Sequence, residues 1–245
     1  TVIYNFRKNY LMIGGQGAPL TPIFHKSLRE KIYGNNIPVI FINIGGITNV
    51  SLLGGGELIG FDTGPGNCLL DAWTKKNRKG DYDNKGRWAK SGTIDQDLLN
   101  IMMKDNYFSL EPPKSTGPDY FNLTWLQDCL MKLNREVDPS DTQATLVELT
   151  ANSLSNSLKK LKIVSEKIYI CGGGVHNKFL MSRISFLLGE KCYTTAKLGL
   201  DPDYIEAICF AWLAYKRVNK IKFDMSAITG SNEKVFLGKV YLPSK

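Results

Sequence analysis

An aspartate between two glycine-rich segments is the feature of this sequence that could most directly carry out chemistry. The first segment is NIGGITN at 43–49, the aspartate is Asp62 within GFDTGPGN at 60–67, and the second segment is CGGGVHN at 171–177. Glycine lets backbone amides approach a ligand closely, and a glycine turn that enters a helix offers free N–H groups to an anion. Two such turns favour a nucleotide site over plain tight turns, although neither is a P-loop or a G-x-G-x-x-G motif.

Asp62 is the residue whose carboxylate we expect to face a ligand. It ends a predicted strand and is followed by Thr63 and Gly64, so its side chain should project into the space that the turns enclose. A carboxylate there can accept a proton from a hydroxyl or a water, which is the role of the general base in phosphoryl transfer. The alternative is an Asx-turn, in which Asp62 bonds its own backbone two residues on. Spacing alone leaves both interpretations open.

Strands at the front of the chain must position the first segment and Asp62. A β-rich run at 37–43 predicts a buried strand, and 48–53 with 57–61 predict a hairpin around the glycines at 54–56. The other predictions for this half are a helix at 66–76, a polar surface loop at 77–92, a helix at 93–104 and an irregular loop at 111–118.

Strands and helices alternate in the second half of the chain. Ser140 and Gln143 have the spacing of a capping box, which predicts the start of a long helix. Asp201 and Pro202 predict the N-cap and the first residue of an apolar helix that runs to Val218. Strands are predicted at 167–171 and 192–195, a helix at 177–188, and a short strand at the end of the tail 235–242. The alternation predicts a mixed α/β domain with a central sheet.

Composition narrows the class of protein. The chain has 245 residues, of which 43% are hydrophobic and 22% charged, which is typical of a globular domain. Its net charge of +8 comes without a basic stripe or a stacking-aromatic motif, so we expect no nucleic-acid partner. No apolar run reaches the ~18 residues of a membrane helix, and there is no charged-then-apolar leader, so we expect no membrane partner. The five cysteines form no C-x-x-C pair, so we expect reduced thiols in a cytoplasm and no structural metal site.

Further motifs follow in one order along the chain. They are GGQGAPL at 14–20, PPKSTG at 112–117, FN at 121–122 with WL at 125–126, QATL at 143–146, HN at 176–177, and PD at 202–203 with EA at 206–207. Together with NIGGITN and FDTGPGN, these strings cover essentially the whole chain. They closely resemble the anhydro-N-acetylmuramic acid kinases, a family of the actin and sugar-kinase superfamily.

The resemblance implies a fold and an activity. The expected fold is an α/β, actin-like (ribonuclease H-like) sugar-kinase fold that is truncated at the N-terminal lobe, with residues 1–37 as a remnant of that lobe and 38–245 as the C-terminal lobe. The family uses ATP and Mg²⁺ to open the 1,6-anhydro bridge of anhydro-N-acetylmuramic acid by hydrolysis. It phosphorylates the released oxygen, which gives N-acetylmuramic acid 6-phosphate for peptidoglycan recycling in the cytoplasm. The implied partners are therefore the amino sugar and ATP, with a homodimer or a separate N-terminal lobe left open.

The resemblance also implies roles for individual residues. Asp62 matches the catalytic carboxylate that activates the attacking water. The implied nucleotide-binding residues are Asn43, Gly45, Gly46, Asn49, Gly172, Gly173 and Gly174. The implied substrate-binding residues are Gln16, Gly64, Lys114, Ser115 and Glu206.

Two departures from the family pattern argue against activity of this chain alone. The Gly-Thr-Ser-Met-Asp-Gly type loop that grips the nucleotide phosphates has no counterpart in the sequence, and Asn5 and Tyr10 stand where the family tends to have aspartates. We therefore expect weak nucleotide binding and no turnover from the chain alone. The alternative to a kinase is a non-catalytic or split-gene fragment that retains partial ligand binding.

Overall fold

The structure is a computed structural model that describes residues 1–11, 20–34, 37–54, 57–78, 80–161, 165, 167–189, 192–224 and 234–242. Its strands are β1 (Val2–Tyr4), β2 (Val39–Ile44), β3 (Ile47–Gly54), β4 (Glu57–Pro65), β5 (Ile168–Cys171), β6 (Cys192–Thr194), β7 (Phe223–Asp224), β8 (Lys234–Val235) and β9 (Lys239–Tyr241). Its helices are α1 (Lys8–Leu11), α2 (Thr21–Tyr33), α3 (Asn67–Arg78), α4 (Arg87–Ser91), α5 (Gln96–Met103), α6 (Leu123–Met131), α7 (Pro139–Lys160), α8 (Lys178–Leu188) and α9 (Ile205–Val218). Short 3₁₀ turns lie at Asn84–Gly86, Asn106–Ser109, Gly173–His176 and Thr195–Leu198.

A five-stranded sheet in the order β4-β3-β2-β5-β6 forms the centre of the fold. Strand β3 runs antiparallel to both of its neighbours, β2 and β4, whereas β2, β5 and β6 run parallel to one another. This arrangement confirms the predicted mixed α/β class and is the sheet expected of a ribonuclease H-like sugar-kinase fold. The predicted hairpin is also confirmed, with β4 continuing to Pro65.

Alternate residues of β2 face two different hydrophobic layers. Ile40, Ile42 and Ile44 pack into the main core with α3, α5, α7 and α8, whereas Val39 and Phe41 belong to a cluster that α2 contacts on the other side. Because side chains alternate along a strand, the sheet lies between two layers of helices. A third cluster joins α2 to α9. The division at residue 37 remains a prediction, and helix α2 lies directly against strands β3 and β4.

Three local predictions are wrong. Helix α7 begins two residues earlier than predicted: Asp138 is its N-cap and accepts from the Ser140 N–H, while Gln143 is buried and its side-chain amide donates to the Leu70 carbonyl. Helix α9 begins at Ile205 rather than near Asp201, which forms a turn instead. The predicted loop at 77–92 contains helix α4, because Asp83 accepts hydrogen bonds from the first amides of that helix. Within the described residues, no helix is long and apolar enough to cross a membrane.

The segment between α4 and α5 is fixed against the start of α7, and this contact can be tested. A Cβ added to Gly92 would lie 2.2 Å from the Ser140 carbonyl oxygen. We expect Gly92→Ala to lower the free energy of unfolding by about 1–3 kcal/mol, because the backbone must move to admit the methyl group. Gly80→Ala is the matched control, since a Cβ there meets nothing within 4 Å, and it should stay within about 0.5 kcal/mol of the parent protein. Urea unfolding followed by circular dichroism measures both, and equal losses would contradict the steric explanation.

Candidate active site

Polar side chains form a row across the ends of three neighbouring strands. The strand register pairs Asn43 of β2 with Asn49 of β3, and Asn49 with Asp62 of β4. On the other side of β2, Asn43 pairs with Cys171 of β5, whose thiol donates to Asn43 Oδ1 at 3.6 Å. Residues that are 128 positions apart in sequence are therefore neighbours at one edge of the sheet.

A cavity of about 270 Å³ opens beside this row. It brings together six residues that the sequence analysis named: Asn43, Gly45, Gly46, Asn49, Asp62 and Glu206. The other residues that line it are Arg7, Leu20, Thr21, Ile47, Thr116, Cys209 and Phe210. Helix α2 contributes through Thr21, whose hydroxyl donates to Asn49 Oδ1 at 3.4 Å.

The carboxylate of Asp62 is held by a neighbouring loop. Its Oδ2 accepts from the Ser115 hydroxyl at 2.8 Å and from the Thr116 N–H at 3.0 Å. Both donors lie more than 50 positions away, so this geometry favours the ligand-facing interpretation over the Asx-turn. Burial raises the pKa of Asp62, whereas the Thr116 and Ser115 donors and the charges of Arg7 and Lys114 act to lower it.

Two glycines let β4 and the start of α3 approach their neighbours. Gly64 has a φ of +153°, and a Cβ there would lie 2.8 Å from the Phe108 ring. A Cβ on Gly66 would lie 2.4 Å from the Gly45 carbonyl oxygen. The N–H groups of Gly66, Asn67 and Cys68 donate to the carbonyls of Gly45 and Gly46 at 2.8–3.0 Å. These amides are therefore used within the protein, and the idea that this helix start offers free N–H groups to an anion does not apply to them.

A second cavity of about 630 Å³ lies beside the glycine triplet. Gly172 and Gly174 pack against the backbone and side chain of Ile44, whereas Gly173 lines the cavity and a Cβ there would meet only Asn67 Nδ2, at 4.0 Å. The other lining residues are Asn67, Leu70, Asp71, Tyr82, Asp83, Asn84, Lys85, Val175, His176, Asn177 and Lys178. His176 Nε2 lies 2.9 Å from the carboxylate of Asp203, and Asn177 caps helix α8.

The remaining predicted site residues have different placements. Ser115 contacts Asp62, while the Lys114 side chain does not line the first cavity, and Lys114 is only 6% exposed. Gln16 lies outside the described residues. Sequence reasoning missed Arg7 and Thr116, although Thr116 stands within the quoted string PPKSTG. It also missed Asp71, whose pKa burial raises to about 6; the only sequence signal for it is its position one helical turn after Asn67.

The raised pKa of Asp62 predicts how its replacement affects stability at different pH values. The folded protein binds the Asp62 proton more tightly than the unfolded chain, so this group's contribution to stability falls as pH rises from about 3.9, the ordinary aspartate value. Asp62→Asn has no group that titrates there, so its stability does not fall with pH for this reason. We therefore expect the thermal midpoint of Asp62→Asn, relative to the parent, to increase with pH and then level off above the folded pKa. The control is exposed Asp119→Asn, and a difference between Asp62→Asn and the parent that does not vary with pH would contradict the pKa direction.

Among solved structures, the chain has matches at low sequence identity. The chain is similar to the activator of the 2-hydroxyisocaproyl-CoA dehydratase from Clostridium difficile with bound ADPNP, at 15% identity and a TM-score of 0.45. The match covers 82% of this chain and 69% of that chain.

Comparison with protein families is more specific. The family model for anhydro-N-acetylmuramic acid kinase matches residues 1–243. Relatives with that name include one from Pasteurella multocida (strain Pm70), 45% identical over all of this chain and 65% of its own length, and one from Coxiella burnetii (strain Dugway 5J108-111), 42% identical over all of this chain and 66% of its own length. The chain thus spans slightly less than two thirds of the length of these curated relatives. With the motifs and the family model in agreement along the chain, it belongs to the anhydro-N-acetylmuramic acid kinase family.

Proposed function

We propose that this chain provides the base, the sugar contacts and part of the nucleotide site of an ATP-dependent kinase. That kinase opens 1,6-anhydro-N-acetylmuramic acid by hydrolysis and phosphorylates it to N-acetylmuramic acid 6-phosphate, a step of peptidoglycan recycling. The observation that carries the proposal is the position of Asp62: a buried carboxylate, held by Ser115 and Thr116, that lines a cavity with Asn43, Asn49 and Glu206. Family membership supplies the reaction, and the geometry supplies a base for it.

Asp62 would take the proton of the water that attacks the anomeric carbon. Ser115 and Thr116 both donate to Oδ2, and no described residue is seen donating to Oδ1, so Oδ1 is the oxygen available to the water. As the new bond to the water oxygen forms, the bond between the anomeric carbon and the sixth oxygen breaks. The sixth oxygen then attacks the γ-phosphorus of ATP, and ADP leaves. A positioned base of this kind is typically worth about 10²–10⁴-fold in rate.

The two cavities suggest how the nucleotide would lie. The second cavity has a volume within the usual range for small-molecule sites, roughly 300–1,000 Å³, and Gly173 leaves room for a close approach by a nucleoside. Gly172 packs directly on Asn43 and Ile44, so the triplet adjoins the turn with Gly45 and Gly46 that lines the first cavity. The phosphates would therefore extend from the nucleoside in the second cavity towards Gly45, Gly46, Asn43 and Asn49 in the first.

The residues of the first cavity suit Mg²⁺ bound together with nucleotide phosphates. Mg²⁺ prefers oxygen ligands and usually takes one or two carboxylates, with phosphates and waters as the rest. Glu206 offers a carboxylate at this cavity, and Asn43 and Asn49 offer carboxamide oxygens. When bound, the ion would neutralise charge on the phosphates. No group of three or more acidic, histidine or cysteine side chains that could hold a metal occurs in the described part of the chain.

The sugar would lie against Arg7, Glu206 and Phe210. The muramic acid substrate carries a carboxylate, and the planar guanidinium of arginine is well suited to bind one. Arg7 lines the first cavity and acts to lower the pKa of Asp62, so it lies close enough to place the sugar beside the base. Glu206, in the first turn of α9, would accept hydrogen bonds from the sugar hydroxyls. We further propose a cytoplasmic location, and a homodimer or an N-terminal lobe as the protein partner, with neither nucleic acid nor membrane as a ligand.

Replacing the base tests the catalytic proposal. Asp62→Asn keeps the size and the acceptor oxygen but cannot take a proton, so turnover should fall by about 10²–10⁴-fold, while sugar binding should persist. The assay incubates protein, 1,6-anhydro-N-acetylmuramic acid, Mg²⁺ and ATP, and detects the sugar phosphate by mass spectrometry, with ¹⁸O-water to show incorporation of the attacking oxygen. Both the chain and its fusion to the N-terminal lobe of a family member are assayed, since the resemblance assigns the phosphate loop to that lobe.

Asp119→Asn, an exposed aspartate outside both cavities, is the matched control for this assay and should keep parental turnover. Near-normal turnover in Asp62→Asn would remove Asp62 from the mechanism. Product from the chain alone would show that it needs no further lobe. Failure of the fused protein to form product would favour the non-catalytic alternative.

A separate substitution tests the placement of the nucleotide. Gly173→Val would fill the part of the second cavity where the backbone is most open, so we expect the affinity for a non-hydrolysable ATP analogue with Mg²⁺ to fall roughly tenfold or more. Gly80→Val, on an exposed loop, is the control and should not change the affinity. Isothermal titration calorimetry on the fused protein measures both. An unchanged Kd in Gly173→Val would place the nucleoside elsewhere.

A further inference from the structure

One segment of the chain holds both main-chain polar groups of Asp62. The Tyr107 hydroxyl donates to the Asp62 carbonyl at 2.7 Å, and the Asp62 N–H donates to the Lys114 carbonyl at 3.1 Å. Tyr107 is only 6% exposed, so its hydroxyl has little access to water. The backbone of the proposed base is therefore held at both its carbonyl and its N–H by Tyr107 and Lys114. The same loop also supplies Ser115 and Thr116.

The Lys114 side chain contacts Tyr107 in two ways. Its ammonium donates to the Tyr107 carbonyl at 3.2 Å and lies 4.7 Å from the centre of the Tyr107 ring. A buried cation over an aromatic face is favoured by the ring quadrupole. Asp105 fixes Tyr107 from behind, since its carboxylate accepts from the Tyr107 N–H at 2.9 Å and from the Trp125 indole N–H at 2.8 Å.

We propose that Tyr107 and Lys114 are positioning residues that hold Asp62 in the orientation needed for proton transfer, and that Lys114 does not bind the sugar. The inference rests on the proposed role of Asp62 as the base. It replaces the role that the family resemblance implied for Lys114. The hydroxyl of Tyr107 anchors the backbone, Lys114 holds the ring of Tyr107 in place, and the carboxylate is thereby kept against Ser115 and Thr116.

The charged groups near Tyr107 and Lys114 determine whether the pKa of Asp62 is raised or lowered. Lys114 and Arg7 both act to lower the pKa of Asp62, against the effect of burial, and Glu206 lines the same cavity. Lys114 is itself faced by Lys160 and Glu111, and its pKa is lowered chiefly by burial. Burial, and then the charge of Asp62, raise the pKa of Tyr107, so its phenol stays protonated and remains a donor.

The test measures the ionisation of Asp62 directly, without the need for activity. The ¹³C NMR signal of the Asp62 carboxyl, assigned by its loss in Asp62→Asn, is titrated in the parent chain, Tyr107→Phe and Lys114→Met. We expect both variants to raise the pKa of Asp62 by roughly half a unit or more, the first by loosening the contacts with Ser115 and Thr116 and the second by removing a nearby positive charge. Tyr120→Phe is the matched control, because that exposed hydroxyl on the same loop donates to Asp105 and not to Asp62.

Kinetics on the fused protein give the second measurement. Tyr107→Phe should lower kcat by roughly 10- to 100-fold, with KM for the sugar close to the parental value, and should move the acidic limb of the pH profile upward. Lys114→Met should likewise lower kcat rather than raise KM, since a sugar ligand would do the opposite. Parental values of the Asp62 pKa in both folded variants would overturn the proposal, as would a rise in KM alone. If Tyr107→Phe does not fold, Lys114→Met decides. Absence of turnover in the parent protein would count against the proposed function, while the titration would still judge the positioning.

Discussion

The charge on Asp62 depends on donors that come from outside its own strand. Burying a carboxylate is costly unless hydrogen bonds and nearby positive charges compensate for the lost water. Here the hydroxyl and amide donors come from Ser115 and Thr116, and the charges from Arg7 and Lys114. The loop at 107–116 must therefore dock on β4 before the carboxylate can be both enclosed and ionised. The buried Phe121 and the Asp105 contacts in turn hold that loop against the core.

Regular elements with a strong local pattern could be predicted from the sequence. Strand β2, the β3–β4 hairpin and helix α8 lie within a few residues of their predicted bounds, because their apolar periodicity and glycine punctuation leave few alternatives. The starts of α7 and α9 could not be predicted as well. Several capping residues compete within one turn at 138–141 and 201–204, and tertiary contacts decide between them. Gln143 fits a capping box in sequence, but the Leu70 carbonyl gives its amide a buried partner.

The candidate site was predictable where one residue type has few other uses. The glycine turns and the strand end indicated Asp62 as a candidate, with an Asx-turn as the open alternative, and the family resemblance then added Asn43 and Asn49. The contributions of Arg7 and Thr21 could not be foreseen in the same way, since each depends on how distant segments meet at the sheet edge. The direction of the Lys114 side chain could not be predicted either. The motif PPKSTG indicated that Lys114 lies near the site, but it did not indicate that the ammonium donates to the Tyr107 carbonyl.

The interlocked turns at 45–46 and 66–68 have a consequence for motion. Three main-chain hydrogen bonds join the turn with Gly45 and Gly46 to the start of α3, and Asp62 lies in β4, only four residues before Gly66. Asp62, the proposed base, is therefore tied to the glycine turn through main-chain hydrogen bonds that need no ligand. A hinge could only lie elsewhere, so closure around a substrate would carry other groups towards this pair and leave the distance within the pair unchanged. In the proposed kinase, a distance fixed in advance would spare part of the ordering cost of each turnover.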